Sequence, residues 1–166
     1  MYMAQWKNNN NIESGFTIIE ILVAITAIVV AFTAILGFFA FEARVAERSR
    51  MRLEAISLSE EAMEAVRNFR DNTTWSSTGI GNLSTGVDFH PASSSTGWNI
   101  ISGSENINGF TRKIIFNRVY RDANDNISDS GKEDNNTRKV TVTISWADRQ
   151  GTTQENLITF ITNWRK

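Results

Sequence analysis

The sequence predicts an α+β protein: one long N-terminal helix, apolar in its first half, whose second half packs on a small antiparallel sheet. Three observations predict it. An apolar run fills Phe16–Phe41, with 21 of 26 positions Ala, Val, Ile, Leu or Phe. A helix-forming stretch without Gly or Pro follows from Glu42 to Arg70. Near the other end, apolar and polar residues alternate with the period of two that marks half-buried strands.

The apolar run is interrupted only by Thr17, Glu20, Thr26, Thr33 and Gly37. As a helix it reaches roughly 39 Å, against a bilayer core about 30 Å thick that needs about 20 apolar residues. A soluble domain of the remaining length could hardly enclose such a helix on every side, so residues 16–41 read as a transmembrane span. A secretory signal has a shorter apolar stretch, about 7–15 residues, that ends at a small-residue cleavage site. Here the small residue precedes the run. The first 15 residues, MYMAQWKNNNNIESG, are polar and Asn-rich, with Lys7 as their one cation.

Glu20 is the single ionisable residue of the span. Insertion scales put the cost of a charged residue at a helix centre at about 2.5–3.5 kcal/mol, and such groups usually have a partner and a task. A cationic amine about one helical turn from Glu20 would be such a partner. At 4 Å and an effective dielectric near 20 such a pair gains roughly 4 kcal/mol before desolvation, enough to offset insertion. The amine of a neighbouring subunit would serve equally well and would also set an axial register.

Beyond the span, Val45, Leu53, Ile56, Met63, Val66 and Phe69 recur at steps that place most of them on one stripe, with Ser49, Ser59 and Ala62 filling the same face. Six arginines and six glutamates occupy the other faces, Glu47 with Arg50 and Glu64 with Arg67 at helical pair spacing. One helix of about 55 residues, roughly 80 Å long, is therefore expected over residues 16–70. Asp71-Asn72-Thr73 ends the pattern.

Residues 71–166 form the expected C-terminal globular antiparallel-sheet domain. Residues 71–109, rich in Ser, Thr, Gly and Asn, read as an irregular connection with short strands near Val87–Phe89 and Trp98–Ile101. Phe110–Arg121 is strand-like, with Ile114, Phe116 and Tyr120 on one face. In Lys139–Ala147, Val140, Val142, Ile144 and Trp146 alternate with Thr141, Thr143 and Ser145. Asp148-Arg149-Gln150-Gly151 supplies turn chemistry. Glu155–Trp164 returns as the second arm of a hairpin, with Ile158, Phe160 and Trp164 expected inward. The apolar side of this sheet needs a cover, and the stripe of the helix supplies it.

The junction Ser14-Gly15-Phe16-Thr17-Ile18-Ile19-Glu20, followed by an unbroken apolar helix, resembles the type III signal of type IV prepilins and pseudopilins. That resemblance implies a pilin-like ladle. Residues 1–15 become a leader removed by the prepilin peptidase, the cut falls between Gly15 and Phe16, Phe16 becomes the N-methylated first residue, and Glu20 is the assembly glutamate. The ending VTVTISW-ADRQG-TTQENLITFITNW is similar to the C-terminal hairpin of minor pilins of the pilus-modification type and of type II secretion pseudopilins. The resemblance implies a structural filament subunit held in the cytoplasmic membrane by a single pass, with its C-terminus outside, then carried into an extracellular or periplasmic filament. Its partners would be the prepilin peptidase/N-methyltransferase, other pilin subunits, membrane lipid and the pilus or secretion assembly machinery. The distribution of basic residues argues the other way on topology: Arg44, Arg48, Arg50 and Arg52 follow the span, while Lys7 alone precedes it, and the excess of Lys and Arg belongs on the cytoplasmic side.

Other functions find little support. Lys plus Arg number 17 and Asp plus Glu 18, without the basic excess of a nucleic-acid binder, so no nucleic acid is expected. There is no cysteine and one histidine, His90, which leaves no thiol nucleophile, no disulfide and no multi-histidine metal site. No nucleophile elbow or phosphate loop occurs; no catalytic residue, cofactor or metal is expected. Asp122, Asn124, Asn126, Ser128, Ser130 and Glu133 have the spacing of a calcium loop. However, the sixth position is Ile127 and no flanking helices are expected, so a solvated turn is the preferred reading. The alternative function is a membrane-anchored extracytoplasmic binding module that keeps Met1–Gly15 and does not polymerise.

Overall fold

The computed structural model describes residues 15–95, 97–149 and 151–164. The predicted leader lies outside these except for Gly15. The chain divides into two compact units, Met1–Glu47 and Arg48–Lys166.

Helix α1 spans Ile18–Asn72, two residues later at each end than expected. In the first unit every described residue is exposed. The hydroxyl of Thr26 donates to the Leu22 carbonyl at 2.8 Å and that of Thr33 to the Val30 carbonyl at 2.9 Å. The two hydroxyls in the middle of the apolar run are thus satisfied within the helix, as a spanning segment requires. Gly37 leaves the helix unbroken.

In the second unit, the strands are β1 (Asp88–Ser94), β2 (Gly97–Ser102), β3 (Glu105–Ile107), β4 (Phe110–Arg121), β5 (Ile127–Ser128), β6 (Lys132–Asp148) and β7 (Gly151–Thr162). They pair antiparallel in the order β2-β1-β4-β6-β7, with β3 and β5 added to β4. The β6–β7 hairpin and the placing of Phe110–Arg121 beside it agree with the sequence reading. The stretch 71–109 is more ordered than expected, because β1 and β2 form a hairpin closed at Ser94 and Gly97. Trp75 anchors the connection before it: its indole donates to the Asn135 carbonyl at 2.9 Å, and Gly79 and Gly81 pack so closely on it that a Cβ at either would collide.

The core lies between the helix and the sheet. Ala55, Ser59, Ala62, Met63, Ala65, Val66 and Phe69 are buried on α1; Phe110, Ile114, Phe116, Val140, Val142, Ile144 and Trp146 face them. Leu53 and Ile56, expected on the buried stripe, are 67% and 38% exposed, and Val45 and Ser49 are exposed too. Small residues form the seam instead, which lets the helix axis approach the sheet closely.

Two strand faces are also corrected. The register shifts between Arg118 and Tyr120, and Val119 rather than Tyr120 is buried; a bulge reverses the alternation beyond it. On β7, Ile158 and Phe160 point outward, 52% and 44% exposed, Trp164 beyond its end is 60% exposed, and Ile161 and Leu157 pack on the core. The cause is the turn. Asp148 pairs with Gly151, so Leu157 falls opposite Val142 and Thr159 opposite Val140. A two-residue connection fixes the register, and a slip of one residue would turn every side chain over. Of the two tryptophans expected to hold the C-terminal strand, only Trp146 is buried.

Candidate functional site

Gly15, Phe16 and Thr17 precede the first turn of α1, and Phe16 is 81% exposed. Thr17 caps the helix: its Oγ1 accepts the Glu20 N–H at 3.3 Å, and its carbonyl accepts the same N–H at 3.0 Å. Thr17-Ile18-Ile19-Glu20 is thus the Thr-x-x-Glu arrangement of a capping box, a signal that the sequence contained and the initial reading passed over. Glu20 stands in the first turn, where the positive end of the helix dipole favours a carboxylate. Its local environment therefore supplies part of the stabilisation first assigned wholly to an amine. Among the described residues Glu20 has no ion-pair partner. The arrangement puts an exposed Gly15-Phe16 segment and an acid with no ion-pair partner among the described residues at the start of a membrane-length apolar helix.

Two of the arginines that follow the span meet carboxylates of the second unit. Arg52 pairs with Glu155 of β7 at 2.6 Å, and Arg48 with Asp148 at 3.9 Å. Arg67 meets Glu64 at 3.4 Å as its spacing predicted. The arginine that sequence reasoning missed is Arg112. It is 3% exposed, and its Nε donates to Glu105 Oε1 at 2.7 Å while Nη1 reaches Glu61 Oε1 and the Leu58 carbonyl, both at 3.3 Å. Its inward parity on β4, between Phe110 and Ile114, was visible in the sequence.

The loop after β4 is organised around its own carboxylates. Asp122 Oδ1 accepts the N–H groups of Asn124 and Asn126 at 2.8 and 2.9 Å. These bonds, first the one from Asn126, hold its carboxyl below the usual range. Oxygens occupied in this way are poorly placed for a cation, and among the described residues no three acidic or histidine side chains converge. The thermal midpoint of the protein is expected to be the same in calcium and in excess chelator; a rise of several degrees with calcium would show that the loop is a site after all.

Asp134 supports the neighbouring turn. Desolvation pushes its carboxyl up, but bonds from Arg121 at 2.8 Å, Thr137 at 2.8 Å and the Asn136 N–H at 2.9 Å outweigh it and hold it low. The Arg121 guanidinium is raised in turn, chiefly by the Asp134 bond. A carboxyl lower in the folded than in the unfolded chain stabilises fully above the unfolded value, about 4, and that contribution drains as pH falls through the folded value. The thermal midpoint should accordingly fall between pH 5 and pH 2, and Asp134→Asn should flatten that fall while lowering the midpoint at pH 7.

Taken together, these features define an α+β protein with one membrane-length helix near its N-terminus, as in a single-pass membrane protein. Comparison with family models, curated proteins and solved structures found no match.

Proposed function

We propose that this chain is a structural subunit, a minor pilin or pseudopilin, of a type IV pilus or type II secretion-like filament, cleaved after Gly15 and N-methylated at Phe16. The observation that carries the reading is the junction Gly15-Phe16-Thr17-Ile18-Ile19-Glu20 at the first turn of an apolar helix long enough to span a bilayer. Cleavage there makes a cation beside the acid. A secondary amine keeps that charge, so methylation leaves the pairing intact. The first unit also offers a shallow apolar groove that includes Ala27 and Ala31. Small residues one turn apart let a second helix approach closely in lipid. The chain itself performs no chemistry in this reading; a membrane machine extracts it, with its C-terminus on the outer side.

The mass and first residue of the mature chain test the proposal. N-methylphenylalanine at position 16, in protein sheared from the cell surface, is expected. Surface material that begins Met-Tyr-Met would overturn it and would favour the anchored module that keeps its leader.

A further inference from the structure

The last turn of α1, the turn after it and the segment after β7 line a cleft of about 370 Å³, within the range of about 300–1,000 Å³ usual for small-molecule sites. All its lining residues belong to the second unit. Two indoles wall it: Trp75 is buried, and Trp164 is 60% exposed.

The walls are fixed before any ligand arrives. The indole N–H of Trp75 goes to the Asn135 carbonyl at 2.9 Å. That of Trp164 goes to Asp71 Oδ1 at 3.3 Å, the oxygen that also accepts Arg70 Nε at 2.8 Å. One carboxylate thus ties the last turn of α1 to the segment beyond β7. The Asn163 N–H, donated to the Asn136 carbonyl at 2.8 Å, holds the same segment to β6. In the turn after α1 the Thr74 carbonyl accepts the N–H groups of Ser77, Thr78 and Gly79. With their N–H groups committed, both indoles have only apolar surface left for a ligand.

The remaining lining is polar and mixed. Among the described residues Arg70 bonds through Nε alone, so both Nη groups remain as donors. The Ser76 hydroxyl donates and accepts, and the Asn163 side-chain carbonyl accepts.

The class of ligand follows from charge and shape. Asp71 already compensates Arg70, and the carbonyl end of α1 adds negative potential here, so the cleft has no cation to spare for a phosphate or a carboxylate. A wholly apolar ligand would leave the Nη groups of Arg70 and the Asn163 amide without partners. A pyranose sugar suits both parts. One face of its ring is a plane of C–H groups, which the negative face of an indole attracts, and its hydroxyls donate and accept around the edge. We propose that this cleft binds a neutral pyranose, with a ring face on Trp164 and hydroxyls on Arg70, Ser76 and Asn163. The inference rests on the second unit alone and is independent of leader cleavage and of filament assembly.

Full-length protein in a polyoxyethylene detergent, whose head group is not a sugar, is titrated with methyl pyranosides of the gluco, galacto, manno and N-acetylated types. At least one should bind with a Kd of about 1 mM or tighter. It should shift the indole N–H resonances of Trp75 and Trp164 and leave that of Trp146, outside the cleft, in place. Trp164→Ala should weaken binding about tenfold or more, since a single tryptophan dominates such a contact. Trp164→Phe, which keeps a ring, should recover most of the loss. The thermal midpoint should stay within a few degrees, because Trp164 is exposed. If Trp164→Ala unfolds, the unmutated chain decides: shifts confined to Trp75 and Trp164 support the proposal, and an equal shift at Trp146 overturns it. Binding by none of the pyranosides, an equal response to glycerol, displacement of the sugar by inorganic phosphate, or binding unchanged by Trp164→Ala would each overturn it too.

Discussion

Arg112→Ala is expected to destabilise the second unit by about 3–5 kcal/mol, the usual consequence of removing one partner of a buried ion pair. Glu61 and Glu105 would lose their shared cation, the Leu58 carbonyl a donor, and the core a long side chain between Phe110 and Ile114. At about 3–4 °C per kcal/mol for a unit of this size the thermal midpoint should drop by about 9–20 °C. Arg112→Met separates the two causes. It restores apolar volume, and both carboxylates retain access to water, at 48% and 24% side-chain exposure. Its cost should be smaller than that of Ala, since the stem's packing is kept and only the cation shared by two water-accessible carboxylates is lost. Chemical denaturation of the two variants side by side checks this. Equal losses would mean that Arg112 acts through its charge and hydrogen bonds, with no contribution from packing of its stem.

Glu20→Ala should change assembly rather than folding. Glu20 lies outside the unit that carries the core, so the midpoint of that unit should not move. Membrane insertion should improve slightly, and cleavage at Gly15 should persist. On the proposed filament reading, what is lost is the partner for an amine on Phe16. The gain of roughly 4 kcal/mol before desolvation, set against an insertion cost of about 2.5–3.5 kcal/mol, leaves a net of about 1 kcal/mol per pair. That corresponds to a loss of about fivefold per subunit added, so the sheared filament fraction should be strongly depleted of the variant. Glu20→Gln isolates the charge, because it keeps the side-chain length. Incorporation at the native level by both variants would remove the electrostatic argument and leave the Thr17 cap as the role of this turn.

Much of the architecture was legible in local patterns. The apolar run gave a membrane-length helix because its composition changes over tens of residues, a scale on which no tertiary contact intervenes. β4 was placed over Phe110–Arg121 and the Val140–Trp146 face was assigned correctly, because alternation over four inward positions admits one reading. The candidate site was legible for the same reason: Gly15, Phe16 and Glu20 are neighbours in sequence, and Thr17 lies among them.

Whatever depended on distant pairing was decided by the tertiary structure. In β7, Ile158 and Phe160 are as apolar as Leu157 and Ile161. Only the two-residue turn after Asp148 settles which set meets Val140 and Val142. On α1 the C-terminal part of the expected stripe, Ser59, Ala62, Met63, Val66 and Phe69, is buried, but before it Ala55 takes the inner face in place of Leu53 and Ile56, a choice that only the position of the sheet makes. Arg112 had a visible inward parity but no visible partners, because Glu61 and Glu105 come from a helix and a strand that only the fold brings together. The sequence by itself thus determined which segments are helical, extended or lipid-compatible, and the inner face of β6 where only one set is apolar; the tertiary structure alone decided the inner face where the sets compete, as on β7 and α1, because that choice is made by register and by the partner across the core.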